Sequence, residues 1–334
     1  MSKEIVVSGI RSTGYLHLGN YFGAMRNYVR MQDDFDCYFF VADYHSLTTH
    51  PDPKDLRANV YRVVAENIAC GLDPNKVVLY AQSDIPEIPE LYLMLNMMAY
   101  KGELEKVPTF KDKVRTQPDN VNAGLLTYPV LMTADILIHK AVKVPVGKDQ
   151  EQHVEMARNF ANRFNSRYGE TFPEPYPFNY GDSLIKVPSL DGTGKMSKSE
   201  HGNSTLYLAD DDDAIRKKVM KAKTDSGPTE PNSFDNAPDY IKNVFQLMSL
   251  VSAKEITDSY RKAYNECNIR YGDMKKQLAE DMVTFIAPIR EKATALQNDP
   301  SQIQKILREG AEKSRESASK TIAEARKRIG INYY

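Results

Sequence analysis

Three short apolar runs near the start of the chain, separated by stretches with helical periodicity, constrain its fold more than any other feature. The runs are Ile5-Val6-Val7-Ser8-Gly9, Cys37-Tyr38-Phe39-Phe40-Val41-Ala42 and Val77-Val78-Leu79-Tyr80. Amphipathic stretches from Asn20 to Met31 and from Pro53 to about Cys70 lie between them. Apolar runs of strand length mark buried strands, and strands separated by helices pair in parallel. The expected fold is therefore α/β with a doubly wound parallel sheet. In such sheets ligands sit beyond the C-terminal ends of the strands, where the strand order reverses. Gly9 to Gly19 and Asp43-Tyr44-His45 fall at such ends.

From Pro86 onward the pattern is mostly helical, over Glu87 to Tyr100, Asn122 to Lys140 and Gln150 to Tyr168. A proline-rich loop follows, Phe172-Pro173-Glu174-Pro175-Tyr176-Pro177. Further helices are expected near Ala209 to Ala222, Pro238 to Val251, Gly272 to Gln297 and Ser301 to Ile329. With 334 residues and 41% apolar content, the chain can bury a sizeable core and is expected to form two domains. Lys plus Arg (44) nearly balance Asp plus Glu (45), so a nucleic-acid surface must be a local patch. Cys37, Cys70 and Cys267 lack the spacing of a zinc site or a disulfide framework, which fits a reducing compartment. No apolar run approaches the ~20 residues needed to cross a bilayer, and Met1-Ser2-Lys3-Glu4 leads directly into a strand. A cytoplasmic protein is expected, with neither membrane nor DNA as partner.

Two short motifs carry the chemistry. Leu16-His17-Leu18-Gly19-Asn20 follows the first strand and opens a helix, whose N-terminal N–H groups and dipole favour phosphate. Gly19 lacks a Cβ and lets a nucleotide ring lie against the backbone. Lys195-Met196-Ser197-Lys198-Ser199 puts two ammonium groups three residues apart after the Gly-rich stretch Leu190-Asp191-Gly192-Thr193-Gly194. Such a loop can close over a triphosphate. Taken singly, each motif has a plainer reading: His17 as a turn residue, Asp43 and His45 as helix caps, His153 as a structural histidine and Met132 as ordinary core. Asp135 in an apolar stretch is harder to explain that way, because a buried carboxylate needs a partner.

The two motifs resemble the HIGH and KMSKS signatures of class I aminoacyl-tRNA synthetases, with Asn20 replacing the last histidine of the first. That variant, with Gly14 upstream and Tyr21 after, is similar to the tryptophanyl-tRNA synthetases. Residues 124–137, Gly124 to Leu137, resemble the segment that forms the tryptophan pocket in that family. Val144-Pro145-Val146-Gly147-Lys148-Asp149-Gln150, running into Gln152-His153, resembles its second nucleotide-binding element. The resemblance implies a Rossmann-like catalytic domain over 1–205, with a helical insertion at about 86–170, and a helical tRNA-binding region over 206–334. It implies ATP with Mg2+ as cofactors, L-tryptophan and tRNA(Trp) as partners, and a homodimer. The apolar helix Leu91 to Tyr100 is a candidate interface and equally a candidate core element.

Activation of an amino acid is in-line attack by its carboxylate on the α-phosphate, promoted by positioning and fixed positive charge. Lys195 and Lys198 would supply charge, with Met196, Ser197 and Ser199 completing the loop. His17 and Asn20 would bond the phosphate and ribose side. Arg11, Ser12 and Thr13 lie on the turn where phosphate oxygens are in reach. By resemblance, Lys113 approaches the triphosphate, Gly147, Lys148 and Asp149 hold the ribose, and the backbone of Val187, in a short strand before the loop, meets adenine. Met132 and Asp135 share one helix face and would select the indole, Asp135 by accepting its N–H. Val7 and Tyr128 are further wall candidates. Many bacterial members carry Gln at the position of Arg11, Pro at Ser12, Glu at Lys148 and Arg at Lys186. The acids and bases of residues 210–223 follow a helix dipole. Residues 301–334 hold eight Lys and Arg against four Glu, a net of +4, and could track RNA phosphates. Tyrosine as the substrate, or an RNA-binding protein that has lost catalysis, are the alternative readings.

Overall fold

The computed structural model describes residues 3–12, 14–147, 150–180, 185–197 and 204–334. The strands are β1 (Ile5–Ile10), β2 (Asp36–Val41), β3 (Val78–Ala81), β4 (Lys143–Pro145) and β5 (Tyr176–Phe178). They form one sheet in the order β3-β2-β1-β4-β5, every pair parallel. Register runs from Ile5 opposite Asp36 to Ile10 opposite Val41, and from Tyr38 opposite Val78 to Val41 opposite Ala81. The order reverses between β1 and β4, and the crevice for a ligand opens there. This is the doubly wound sheet expected from the three apolar runs.

The helices are α1 (residues 18–31, π-helical over Tyr21–Met25), α2 (Pro53–Ala69), α3 (Glu87–Asn96), α4 (Pro108–Thr116), α5 (Ala123–Leu137), α6 (Glu151–Tyr168), α7 (Asp212–Met220), α8 (Asp239–Val251), α9 (Lys254–Asn265), α10 (Tyr271–Gln297) and α11 (Pro300–Ile329). Successive strand residues feed opposite cores. Val6, Phe39, Val41 and Leu79 join one cluster with α1, α2 and the helices after residue 206, while Val7, Phe40, Tyr80 and Val144 join another with α3, α5 and α6. Burial on both faces makes the central strands continuous apolar runs.

Several elements differ from the sequence expectation. The proline-rich loop ends in the edge strand β5, where Pro177 is tolerated because an edge strand has one unpaired side. Strands β4 and β5 have only three residues each, too few for a periodicity signal. Helix α3 ends at Asn96 rather than Tyr100. Helices α4 and α9 have no counterpart in the expected pattern; both are short and mostly polar and charged, with few apolar residues to mark them in sequence. Val187 is not in a strand; the backbone there forms an isolated bridge, Pro188 opposite Lys195.

Helix α11 covers the open edge of β3. A Cβ on Gly310 would lie 1.8 Å from the Leu79 carbonyl oxygen, so only glycine permits this approach. Below it, the ring of His139 stacks on Tyr38 at 4.2 Å, and its Nε2 lies 3.0 Å from the Tyr80 hydroxyl and 3.2 Å from that of Ser314. This group ties α11 to two strands and to the end of α5. Burial pushes the His139 pKa from 6.5 down to about 3.

Both features can be probed by unfolding. Gly310→Ala gains about 1 kcal/mol in helix propensity, but the clash is with backbone that cannot rotate away, and overpacking costs roughly 1–3 kcal/mol. Denaturant unfolding should show net destabilisation. For His139, the unfolded chain takes up a proton below pH 6.5 that the folded protein refuses until about pH 3. Its contribution to stability is therefore lost as pH falls through that window, by at most about 1.4 kcal/mol per unit. Unfolding free energies measured from pH 7 to 5 should fall more steeply in the wild type than in His139→Gln; parallel profiles would show that His139 does not resist protonation.

Candidate active site

At the C-terminal ends of β1 and β2, beside the reversal of strand order, lies a cavity of about 210 Å3. Five parts of the chain meet around it. Arg11 comes from the end of β1, His45 and Thr49 from the turn after β2, Phe110 and Lys113 from α4, and Tyr128, Gln150 and His153 from α5 and the start of α6. Two cations thus face an aromatic wall. The Arg11 guanidinium bonds the Tyr128 hydroxyl, which opposes the upward shift that burial gives the phenol. His153 is fixed from both ring nitrogens, Nε2 to Thr109 Oγ1 at 3.0 Å and Nδ1 to Gln150 Oε1 at 2.8 Å.

Beneath this wall Asp135 is 0% exposed. His45 Nε2 donates to its Oδ2 at 2.8 Å and Gln82 Nε2 to its Oδ1 at 2.7 Å. The Gln82 amide oxygen accepts from the His45 backbone N–H, which sets the amide's orientation. Burial raises the Asp135 pKa, and bonding to His45 and Gln82 opposes that rise. The His45 ring also lies 4.2 Å from that of Tyr128, so it links the buried carboxylate to the cavity surface. Asp135 does not itself line the cavity. Val7 is buried in the sheet, and Met132 is half-buried against the core beside α5. Neither is a lining residue.

The two signature segments pack together. Residues 16–18 pair with residues 206–208 through Leu18 N–H to Leu206 O and Leu208 N–H to Leu16 O, both at 2.9 Å. The Asn20 amide oxygen accepts the His17 N–H at 3.0 Å, so its NH2 end is what it can offer a ligand. At Gly19 a Cβ would sit 2.9 Å from the His17 ring and 3.5 Å from the Met196 carbonyl oxygen. The approach to the second loop is a tight turn. Asp191 accepts from the Ser189 and Thr193 hydroxyls, and the Ser189 bond above all holds its pKa down to about 2. Gly192, at φ +77°, has no room for a side chain against Tyr240 of α8.

Three of the expected contact residues have groups already engaged within the protein. Ser12 is buried and its hydroxyl is spent on Ser46 Oγ at 2.6 Å. The Val187 carbonyl accepts the Met196 N–H at 2.8 Å, and the Met196 side chain lies in the core. Lys195 is exposed, and the Ser197 carbonyl accepts from Thr205 Oγ1 at 2.8 Å. Gly147 accepts the Gln150 N–H at the start of α6. Thr13, Lys148, Asp149, Lys198 and Ser199 lie outside the described residues.

Residues 2–287 match the family described as tRNA synthetases class I (W and Y). The tryptophan–tRNA ligase of Porphyromonas gingivalis is 58% identical over 98% of this chain and 99% of its own length. That of Clostridium acetobutylicum is 38% identical, with 99% and 98% covered. The crystal structure of the Campylobacter jejuni tryptophanyl-tRNA synthetase complexed with ADP and tryptophan superposes with a TM-score of 0.88, at 34% identity and covering 98% of this chain and 99% of that one. This chain belongs to the class I tryptophanyl-tRNA synthetases.

Within this synthetase, sequence reasoning missed Gln82, Thr49 and Phe110 and left His45 and His153 undecided. The position of Gln82, directly after β3, was the signal that could have found it. Several cations of α11 prove to be engaged internally: Arg315 with Glu87, Arg326 with Glu90, Lys305 with Glu309 and Arg328 with Glu324. Arg308, Lys313, Lys320 and Lys327 make no ion pair among the described residues. Asp211 caps α7 by accepting the Ala214 N–H, in keeping with the helix-dipole reading. Among the described residues no cluster of three His, Cys, Asp or Glu side chains could hold a metal ion, and no helix is long and apolar enough to cross a membrane.

Proposed function

We propose that this synthetase condenses L-tryptophan with ATP to tryptophanyl-AMP and pyrophosphate, and then transfers the tryptophanyl group to tRNA(Trp). The observation that carries the reading is the cavity at the strand-order reversal, which sets two cations, Arg11 and Lys113, against an aromatic wall backed by a buried carboxylate. The substrate carboxylate is the nucleophile, so the protein contributes placement and charge. Arg11 and Lys113 neutralise carboxylate and phosphate oxygens, and Lys195 adds charge from the second signature loop as pyrophosphate leaves. His17 and the Asn20 NH2 bond the nucleotide, and Gly19 and Gly147 let it approach the backbone. Thr13, Lys148, Asp149, Lys198 and Ser199 are assigned to ATP by resemblance alone. Magnesium bound with ATP would supply further neutralisation, carried by the phosphates more than by dedicated carboxylates.

Tyr128, Met132 and Asp135 stand at i, i+4 and i+7 on α5 and so share a face. A carboxylate has about four acceptor positions. His45 and Gln82 use two, which leaves Asp135 with acceptor positions for an indole N–H once the Tyr128 and His45 wall in front of it opens to the ligand. An analogue without that N–H leaves the carboxylate short of a partner, and selectivity follows. Tyrosine is not favoured: the two ligases at 58% and 38% identity are tryptophan enzymes. A homodimer is supported by the exposed apolar residues Leu93 (54%), Met97 (77%) and Tyr100 (63%) at and beyond the end of α3, and the unpaired cations of α11 are the candidate tRNA contacts.

Pyrophosphate exchange into ATP tests the reaction, run with each amino acid in turn. Exchange should depend on tryptophan alone. The chain contains no tryptophan, so the ligand is the only indole present and the change in its fluorescence on binding reads affinity. Asp135→Ala should weaken tryptophan binding at least about tenfold, the loss of one buried hydrogen bond. Lys195→Ala should leave that affinity unchanged while slowing exchange. Unaltered affinity in the aspartate variant would remove Asp135 from the pocket, and exchange with tyrosine instead would move the enzyme to the sister specificity.

A further inference from the structure

Glu66 is a carboxylate 2% exposed on α2, and it is not among the residues that line the cavity. Its Oε2 accepts the Leu16 N–H at 3.0 Å, across fifty residues of sequence. One turn earlier on the same helix, the Arg62 guanidinium lies 4.0 Å from the centre of the Tyr15 ring. Side chains on consecutive turns of α2 therefore grip Tyr15 and Leu16, the residue before the first signature segment and the first residue of it. On its other side that segment is held by residues 206–208, but those bonds use the Leu16 carbonyl and the Leu18 N–H. The Leu16 N–H is left to Glu66. Leu16 is buried, so without an acceptor this donor would face apolar surroundings, and the backbone would turn to satisfy it.

The next residue is His17, whose N–H orients Asn20, and Gly19 packs on the Met196 carbonyl of the second signature loop. A turn at Leu16 would displace all three. We propose that Glu66 is a positioning residue for the phosphate end of the active site: it touches no substrate, and it sets where His17 and Asn20 stand relative to the loop that carries Lys195. The proposal rests on the reading of His17 and Asn20 as nucleotide contacts.

Two variants test it. Glu66→Gln keeps an acceptor oxygen, whereas Glu66→Met fills a similar volume without one. In Glu66→Met, kcat for tryptophan-dependent pyrophosphate exchange should fall about 10- to 100-fold, the scale of a small misplacement at a reacting centre. Tryptophan affinity, read from ligand fluorescence, should stay within about twofold, because the indole side is built from other elements. Glu66→Gln should recover most of the rate. A fall in exchange matched by the loss of folded protein, or by an equal loss of tryptophan affinity, would overturn the proposal, as would a methionine variant as fast as wild type. Should Glu66→Met not fold, Glu66→Asp draws the carboxylate back by one methylene and must slow exchange relative to Glu66→Gln. Amide hydrogen exchange over residues 14–20 provides a readout independent of activity. Protection lost in Glu66→Met and kept in Glu66→Gln supports the anchoring, and equal protection in both opposes it. Absence of exchange in the wild type would instead strike at the function of the site.

Discussion

Everything at the candidate site depends on β1 lying between β2 and β4 in a sheet covered on both faces. Parallel strands send their connections over the faces, so all C-terminal ends open on one edge, and the reversal of order beside β1 leaves a gap there that no helix fills. The register of β1 against β2 brings Ile10 level with Val41, so the turns carrying Arg11 and His45 leave the sheet side by side. The pairing of β2 with β3 adds Gln82 just beyond Ala81. Three successive strand ends thus deliver a cation, an imidazole and an amide to one place. The helix that carries Asp135 lies in the second core and brings its carboxylate under them.

The polar group at Asp135 is consistent with this frame in energetic terms. An isolated buried carboxylate costs several kcal/mol, and removing one partner leaves the rest of the cost standing. Here a neutral amide and an imidazole both donate, and the amide is itself oriented by backbone. The orientation of the carboxylate is therefore fixed before any ligand arrives, although His45 and Tyr128 stand between it and the cavity. At the phosphate end, turn geometry preorganises the backbone in a comparable way. Asp191 draws three donors into the turn before the second signature, and Gly192 lets that turn close on α8.

Much of this was legible in the sequence for a physical reason. Strands buried on both faces must be apolar throughout, so β1, β2 and β3 announced themselves, and their spacing implied the parallel sheet. The signature segments were legible because phosphate chemistry restricts residue types strongly. What stayed hidden depends on tertiary partners. Ser12 sits on the right turn, yet its hydroxyl finds Ser46 first; Met196 sits inside a charged motif, yet its side chain is core. Position along the chain fixed neither direction. Gln82 and Phe110 lacked any pattern of their own, since a single amide or ring becomes part of a site only through the strand end or helix that delivers it. Strands β4 and β5 were too short to show a period.

Helix α11 shows how the second half of the chain bears on the first. An open edge on β3 would present unpaired backbone groups, a liability for aggregation. The small residues Gly310, Ala311, Ser314 and Ala318 let α11 lie close enough to cover that edge. Its hydroxyl at Ser314 meets His139, two residues past the end of the helix that carries Tyr128 and Asp135. The same neutral imidazole contacts Tyr38 and Tyr80 on β2 and β3, the strands whose far ends lead to His45 and Gln82. One buried side chain therefore holds the C-terminal helix, two strands and the end of α5 in a common register. Tyr80 lies two residues before Gln82 and His139 four residues after Asp135, so in close-packed cores the group that fixes the former pair also restrains the latter, where the carboxylate meets its donors.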